Sequence, residues 1–322
     1  MSAVPSRVAI TGALGFIGGT LRRRYESMGA EVVGVDLVEG PGVTAGDIDR
    51  PGGWQDRFGG CDLVIHTAAV LDNSSPRARH WDVTVLGTRH VLDAAVAAGV
   101  RRFVHLSSVR AYSDLAFPDG VDERHPVRPD GHRYVDTKIA GEQVVLQAHA
   151  AGEVAATIIR PGDVYGPGSK PWTLWPVMGL PTGMFSVPAG RGFLFSPVFV
   201  DNLVDGIVLA AASDAAAGHV FNITDGVAVD NHDFFGHYAR MLGVELPTVD
   251  PDELRAAAAA AGHGADEEVF DYLLRQGSYS IDKARWMLGY EPGVHLPEGM
   301  ARTEAWLLEI GLLPTPQRGE TP

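Results

Sequence analysis

Short apolar runs alternate with longer stretches of helical period through the first half of the chain. The apolar runs predict buried β-strands at 7–11, 31–36, 62–67, 102–107 and 154–160. Apolar positions with the period of an α-helix predict helices at 16–28, 81–98 and 134–151. This order predicts an α/β fold, a doubly wound parallel sheet with helices on both faces. Ligands of such sheets bind at the carboxyl ends of the strands.

The pattern changes after Arg160. Residues 161–197 are rich in Pro, Gly, Trp, Phe and Met and have little regular period, whereas 199–212 returns to a strand followed by a helix. A further strand at 220–224 is expected to join the main sheet, and several short helices follow. We therefore predict a larger domain over 1–170, to which 198–224 returns. A smaller, discontinuous α+β domain over 171–322 is expected to bind the substrate.

Composition narrows the functional classes. The 322 residues carry a formal net charge of −14, which argues against nucleic acid and anionic membranes as partners. Cys61 is the single cysteine, so an intrachain disulfide is impossible and a reducing compartment is favoured. The first residues lack a hydrophobic signal region, and no uncharged apolar run approaches the ~18 residues of a membrane span. We expect a cytoplasmic protein without membrane association.

A glycine-rich loop follows the first predicted strand and leads into the first helix. Its glycines allow a tight turn and a close approach of the backbone to a pyrophosphate, and the helix N-terminus supplies N–H donors. The strand–loop–helix context is the one that dinucleotide binding requires. The residues predicted to bind the cofactor here are Gly12, Leu14, Gly15, Phe16, Ile17 and Gly18.

Asp36 ends the second predicted strand. A carboxylate there can accept hydrogen bonds from both ribose hydroxyls and would repel a 2′-phosphate, and Leu37 follows it instead of an arginine. NAD is therefore favoured over NADP; the alternative is that Asp36 is only a turn residue. Asp47 and Ile48 are a predicted adenine contact. Small residues where the backbone of the cofactor must pass are Thr67, Ala68 and Ala69.

Tyr134 and Lys138 lie four residues apart, so both side chains project from one face of the predicted helix. A phenol titrates near ~10, and a neighbouring ammonium lowers that pKa. The pair could thus exchange a proton with an alcohol or a ketone; the alternative is an exposed pair without a role. Ser108 ends the strand at 102–107 and offers a hydroxyl. The twelve histidines show no metal-ligand spacing, so no metal is expected.

The ordered set of motifs resembles an extended short-chain dehydrogenase/reductase, a group that includes nucleotide-sugar epimerases and 3β-hydroxysteroid dehydrogenases. The resemblance covers nearly the whole chain and runs through 11–18, 66–69, 107–108, Tyr134 with Lys138, 160–167, 199–202, 280–285 and 288–292. It implies a Rossmann domain that binds NAD, and a homodimer. By the same resemblance, Tyr134 is the general acid/base, Lys138 lowers the pKa of that tyrosine and binds the nicotinamide ribose, and Ser108 hydrogen-bonds the reacting oxygen.

The resemblance further implies that Pro161 and Val164 contact the cofactor. Ser107 is the neighbouring, structural serine. One position departs from the family, because Thr84 stands where an asparagine commonly supports the active site and sometimes a water relay. The relay is therefore in question, whereas the proton and hydride chemistry is not.

Two branches of the family differ in the expected substrate. Nucleotide-sugar enzymes usually have Asn at the position of Asp163 and an arginine near Ser196 and Pro197 to hold the diphosphate; Arg191 could substitute. An unpaired carboxylate at Asp163 would disfavour a diphosphate. The neighbouring segment is strongly apolar, which suits a flat apolar ligand or a plain domain core. The candidate substrate residues are Val109, Asp163, Trp172, Trp175, Met184, Phe185 and Phe195.

These observations predict an NAD-dependent oxidoreductase that acts on the secondary alcohol or ketone of an apolar, steroid-like or aryl/alkyl substrate. The pattern lies closest to the 3β-hydroxysteroid dehydrogenase-like branch. The alternative is an epimerase or dehydratase that acts on a nucleotide sugar with tightly held NAD. A non-catalytic dinucleotide sensor is disfavoured because Ser108, Tyr134 and Lys138 are all present.

Overall fold

The computed structural model describes residues 4–72, 74–113, 118–260 and 272–314. The first half of the chain forms β1 (Arg7–Thr11), α1 (Phe16–Ser27), β2 (Glu31–Asp36), β3 (Val43–Ala45), β4 (Leu63–His66), α2 (Arg77–Trp81), α3 (Gly87–Ala97), β5 (Arg102–Leu106), α4 (Arg133–Ala150) and β6 (Ala155–Pro161). The second half adds β7 (Asp163–Tyr165), α5 (Trp175–Gly179), β8 (Val187–Pro188), β9 (Leu194–Phe195), β10 (Pro197–Phe199), α6 (Val200–Ala212), β11 (Val220–Ile223), β12 (Val229–Asp230), α7 (Asn231–Leu242), β13 (Thr248–Val249), α8 (Pro251–Ala260), α9 (Asp282–Leu288) and α10 (Leu296–Glu309).

Seven strands form the central sheet in the order β11-β6-β5-β4-β1-β2-β3. All neighbouring pairs are parallel. The apolar stripes of α1 and α6 cover one face, and those of α3 and α4 cover the other. The structure thus confirms the predicted doubly wound Rossmann fold, and the pairing of β11 with β6 confirms the strand expected at 220–224. The carboxyl ends of β1, β2, β4 and β5 lie side by side, where a ligand of this fold binds.

Two local features differ from the sequence prediction. The edge strand β3 was not predicted, because three residues are too short to show a two-residue period. The helix predicted at 81–98 begins earlier, at Arg77, and contains a π-helical turn over Asp82–Leu86. Such a turn widens the helix by one residue per turn and often marks a functional site. Here it contains Thr84, the position that departs from the family.

The elements outside the central sheet enclose a third apolar core, rich in aromatic rings. Phe234 is its centre, with the Phe195 ring centroid 4.1 Å away and Tyr165 and Phe235 at 5.3 and 5.1 Å. All four side chains are buried. In the described residues, no helix is both long and apolar enough to cross a membrane.

Phe234→Ala tests how far the second part of the chain depends on this aromatic core. Deleting a fully buried phenyl ring leaves a cavity, so the free energy of unfolding should fall by about 3–5 kcal/mol in urea titrations. Trp286 is 83% exposed, and Trp286→Ala should change it by less than about 0.5 kcal/mol. Equal effects of the two substitutions would contradict the assignment of the core.

Candidate active site

The glycine loop between β1 and α1 is packed too closely to accept side chains. Gly12 has a φ of +71°, and a Cβ on it would lie 2.8 Å from Thr67 Oγ1 and 3.0 Å from the amide nitrogen of Ala68. A Cβ on Gly18 would lie 2.0 Å from the carbonyl oxygen of Gly12. Gly15 then stands at the N-cap of α1 without a side chain. The loop therefore brings bare backbone close to the N-terminus of α1, and a helix N-terminus fits a pyrophosphate.

Asp36 is held beside this loop at the carboxyl end of β2. Its Oδ2 accepts a hydrogen bond from the Leu14 amide at 2.8 Å, and its Oδ1 accepts one from the Leu37 amide at 2.7 Å. Each carboxylate oxygen keeps a second lone pair for another donor. The Asp36 carboxylate therefore fits the ribose hydroxyls of NAD, and the neighbouring loop and start of α1 fit its pyrophosphate.

Asp47 and Ile48 have structural partners of their own. Arg79 donates to Asp47 at 2.7 Å and to Asp49 at 2.6 Å. Ile48 is buried, and its side chain would lie 3.0 Å from a Cβ on Gly87 at the start of α3. The adenine contact of these two residues stays a prediction. Thr67 is likewise structural in part, since its hydroxyl donates to the Thr11 carbonyl at 2.7 Å.

Lys138 reaches the end of β5 from the second turn of α4. Its Nζ donates to the Leu106 carbonyl at 2.9 Å and lies 5.7 Å from the centroid of the Tyr134 ring. The ammonium is buried, and burial lowers the pKa of Lys138 to about 8, against the opposing charge of Glu142. The helix thus brings the predicted pair together at the carboxyl edge of the sheet, where ligands bind.

The two serines after β5 have different roles. Ser107 donates its hydroxyl to Glu142 Oε1 at 2.5 Å inside the protein. Ser108 caps a 3₁₀ turn over Val109–Tyr112, where its Oγ accepts from the Arg110 amide at 3.2 Å. A hydroxyl that accepts from this amide keeps its own proton for another acceptor. This geometry suits Ser108 for the reacting oxygen and Ser107 for support.

A buried ion pair beneath the site was not predicted. Arg160 of β6 donates through Nε and Nη2 to the two carboxylate oxygens of Glu142 on α4, at 2.8 and 2.5 Å. Both side chains are buried. The signal that the sequence offered was Glu142, which lies four residues after Lys138 and therefore on the same helix face as Tyr134 and Lys138.

Thr84 contacts α4 through its backbone. A Cβ on Gly141 would lie 3.1 Å from the Thr84 carbonyl oxygen, which also accepts from the Thr88 hydroxyl at 2.7 Å. The Thr84 hydroxyl accepts from the Val70 amide at 3.4 Å. The departing residue therefore supports the helix that carries Tyr134 and Lys138, with a hydroxyl where the family often has an amide.

Asp163 is paired with Arg275, so the expectation that its charge would disfavour a diphosphate does not hold. Arg275 donates to Asp163 Oδ2 at 3.0 Å, and the Ser196 amide donates to the same oxygen at 2.8 Å. Both members of the ion pair are buried. The carboxylate therefore carries no uncompensated charge that would repel a diphosphate. The sequence could not show the pairing, because Arg275 lies in a distant segment without regular period.

Several predicted substrate residues belong to the protein interior, which corrects those expectations. Phe195 is 1% exposed beneath other rings, and Val109 is 1% exposed against Tyr112 and Tyr279. Trp172 and Phe185 are only partly buried against the same aromatic core, and they stay predicted substrate residues. Trp175 and Met184 remain 60% and 80% exposed, so they stay candidates for an apolar ligand. Val164 is nearly buried beside Pro161, and both stay predicted cofactor contacts.

Lys138→Met tests the buried ammonium through the pH dependence of stability. Its pKa is about 8 in the folded protein and ~10.4 unfolded, so the unfolded chain binds more protons between these values and wild-type stability rises with pH there. The stability of the variant relative to wild type should be highest near pH 7 and decline from pH 8 to about 10.5. Urea titrations check this; exposed Lys170→Met is the control, and a pH-independent difference for Lys138→Met would contradict it.

Comparison with known proteins identifies the family of the chain. The model of the NAD dependent epimerase/dehydratase family matches residues 8–224. A 4-hydroxy-2-methyl-3-oxo-4-farnesyl-3,4-dihydroquinoline-1-oxide ketoreductase from Stigmatella aurantiaca is 28% identical, over 91% of this chain and 94% of the relative. A 3-beta-hydroxysteroid dehydrogenase from Mycolicibacterium neoaurum is 28% identical, over 92% of this chain and 89% of the relative.

Among solved structures, a double mutant of dTDP-glucose 4,6-dehydratase from Streptomyces venezuelae, crystallised with NAD, is 26% identical. Its TM-score is 0.78, over 94% of this chain and 97% of that chain. The predictions of an enzyme and of NAD as its cofactor are thereby confirmed. The chain belongs to the NAD-dependent epimerase/dehydratase family of extended short-chain dehydrogenases/reductases.

Proposed function

We propose that this protein is an NAD-dependent oxidoreductase that interconverts a secondary alcohol and a ketone on an apolar substrate. The observation that carries the proposal is the position of Lys138, which contacts the Tyr134 ring and the Leu106 carbonyl at the carboxyl end of β5. Ser108 follows this strand, and the glycine loop and Asp36 lie at the same edge of the sheet. A phenol next to a buried ammonium is suited to proton exchange with an alcohol.

Each side chain has a separate task. Tyr134 takes the proton of the substrate hydroxyl in oxidation and returns it to the ketone oxygen in reduction. Lys138 favours the deprotonated phenol, and Ser108 donates a hydrogen bond to the reacting oxygen. When bound, NAD supplies the acceptor or donor of the hydride. Asp36 and the N-terminus of α1 hold the cofactor at the strand ends.

The apolar substrate rests on two further observations. Trp175, Met178 and Met184 are exposed by 60%, 57% and 80% in the segment that follows the cofactor site. Arg191, the cation that could have held a diphosphate, instead pairs on the surface with Asp233 at 2.8 Å and Asp230 at 3.5 Å. The names of two relatives, a ketoreductase of a farnesylated quinoline oxide and a 3β-hydroxysteroid dehydrogenase, point in the same direction.

A second candidate function is an epimerase or dehydratase of a nucleotide sugar. The pairing of Asp163 with Arg275 favours it, because that pairing removes the charge that would have opposed a diphosphate. The likeness to a dTDP-glucose 4,6-dehydratase gives it further support. The two functions differ in whether the cofactor changes redox state over a full turnover.

An absorbance screen at 340 nm separates the two functions. Purified protein with NAD or NADH is offered steroids, aryl alcohols and diols, their ketones, and a panel of nucleotide sugars. We expect net NADH change with an apolar alcohol or ketone, and Tyr134→Phe should lower kcat by at least about 10²-fold because the proton carrier is gone. The buried Tyr238→Phe is a matched control. Turnover of a nucleotide sugar without net NADH change would establish the alternative instead.

Asp36→Asn tests the recognition of the cofactor. The substitution keeps an acceptor for the Leu14 amide but removes the charge that binds the ribose hydroxyls and repels a 2′-phosphate. The ratio of the Kd values for NADP and NAD should fall by at least about tenfold, as measured by isothermal titration calorimetry. Asp56 is exposed in a 3₁₀ helix over Gly53–Phe58, and Asp56→Asn should leave the ratio unchanged. An unchanged ratio in Asp36→Asn would assign the residue to the turn alone.

A further inference from the structure

Arg110 lies between two tyrosine rings beside the candidate general acid/base. Its guanidinium carbon is 4.9 Å from the centroid of the Tyr134 ring and 5.0 Å from that of Tyr272. Arg110 belongs to the 3₁₀ turn that Ser108 caps, and its amide donates to the Ser108 hydroxyl. One short turn therefore brings both a hydroxyl and a guanidinium to the phenol.

We propose that Arg110 is a second cationic partner of Tyr134, a positioning residue that stabilises the deprotonated phenol. The consequence for catalysis rests on the proposed function, in which Tyr134 exchanges the proton. The effect on the phenol itself does not depend on that function.

Distance and charge support this role. An opposite charge close to a titrating group shifts its pKa toward the charged form. A guanidinium on an aromatic face is also attracted to the ring itself. At 4.9 Å, Arg110 is closer to the ring of Tyr134 than Lys138 is, at 5.7 Å.

The positive charge that Lys138 places beside Tyr134 depends on pH. Burial lowers its pKa to about 8, so a growing share of its ammonium groups becomes neutral as the pH rises through that value. A guanidinium stays protonated throughout this range. Arg110 would thus keep a positive charge beside Tyr134 at the alkaline pH where Lys138 loses its own.

The second part of the chain holds Arg110 in place. The Tyr272 ring, which contacts Arg110, stacks with Trp172 at 5.0 Å between centroids, and the Arg275 guanidinium lies 3.6 Å from its centre. Arg275 is fixed in turn by the buried Asp163. A chain of contacts therefore runs from Asp163 to the ring of Tyr134, and it gives the buried ion pair a role in the active site.

Several other charged groups near this end of α4 form ion pairs with one another. Glu142 is neutralised by Arg160, and Asp163 by Arg275. Asp136 pairs with Arg77 at 3.2 Å on the outer side of the helix, and His132 lies 3.7 Å from Asp130. Among the residues that the structure describes, Arg133 also lies at this end of α4, and Asp163 interacts electrostatically with Arg110 as well as with Arg275.

Titration of the phenol tests the proposal without any substrate. The protein is labelled with ¹³Cζ-tyrosine, the Tyr134 signal is assigned by its loss in Tyr134→Phe, and its pKa is read from NMR spectra over pH. Arg110→Gln should raise that pKa by about one unit or more, and Arg110→Lys should restore it to within a few tenths. Arg101 is exposed at the opposite, amino end of β5, and Arg101→Gln is the matched control.

A pKa of Tyr134 that is unchanged in Arg110→Gln would overturn the proposal. If Arg110→Gln does not fold, Tyr272→Leu releases the guanidinium without deleting it and should raise the same pKa by a smaller amount. No shift in that variant would also overturn the proposal.

Kinetics add a readout that a structural role would not move. With an alcohol found in the screen, the acid limb of kcat for oxidation should move to higher pH by the same shift in Arg110→Gln. A uniform loss of kcat without displacement of the limb would contradict the inference. If Tyr134→Phe were fully active, the proposed function would fail, whereas the NMR titration would still decide whether Arg110 acts on the phenol.

Discussion

The buried ion pair between Glu142 and Arg160 is the interaction on which the site depends. Burying two charges costs several kcal/mol each, and only a bidentate geometry with further hydrogen bonds offsets that cost. Here Arg160 binds both carboxylate oxygens and the Ser107 hydroxyl donates to one of them. The guanidinium also lies 4.6 Å from the centroid of the Tyr112 ring, and its Nη1 is buried without a hydrogen-bond acceptor among the described residues. The pair fastens α4 to β6 and to the end of β5. Lys138, one turn before Glu142, is thereby directed to the Leu106 carbonyl.

This arrangement separates the charges that hold the fold from the charge that acts on the phenol. Glu142 is satisfied by Arg160, so it only partly opposes the effect of burial on the pKa of Lys138. The buried ammonium consequently costs stability at neutral pH and places a titratable cation next to Tyr134. Arg110, the second cation near the ring, is held by contacts that end at the Asp163–Arg275 pair. Both buried ion pairs are thus linked to the surroundings of Tyr134.

The sequence predicted what periodic patterns and short spacings encode. The strands of the sheet, the glycine loop, Asp36 and the Tyr134–Lys138 pair are all local signals, and the structure brings them to one edge of the sheet. The sequence could not predict the pairing of Asp163 with Arg275, because contacts between distant irregular segments leave no periodic pattern in it. The sequence also misjudged Phe195, since an aromatic-rich segment looks alike whether its rings line a cleft or fill a core. Only burial distinguishes the two. The sequence misjudged Val109 as well, because its place after Ser108 does not show that it packs against Tyr112 and Tyr279.

The central claim, that the family chemistry runs here as net oxidation or reduction, is tested most directly by following the hydride. NADH deuterated at C4 is incubated with the protein and a ketone from the apolar panel, and the product is examined by mass spectrometry. The account predicts deuterium on the new carbinol carbon of a released alcohol, with one NAD released for each alcohol. Failure of every apolar ketone to acquire deuterium, together with conversion of a nucleotide sugar at constant NADH, would contradict it.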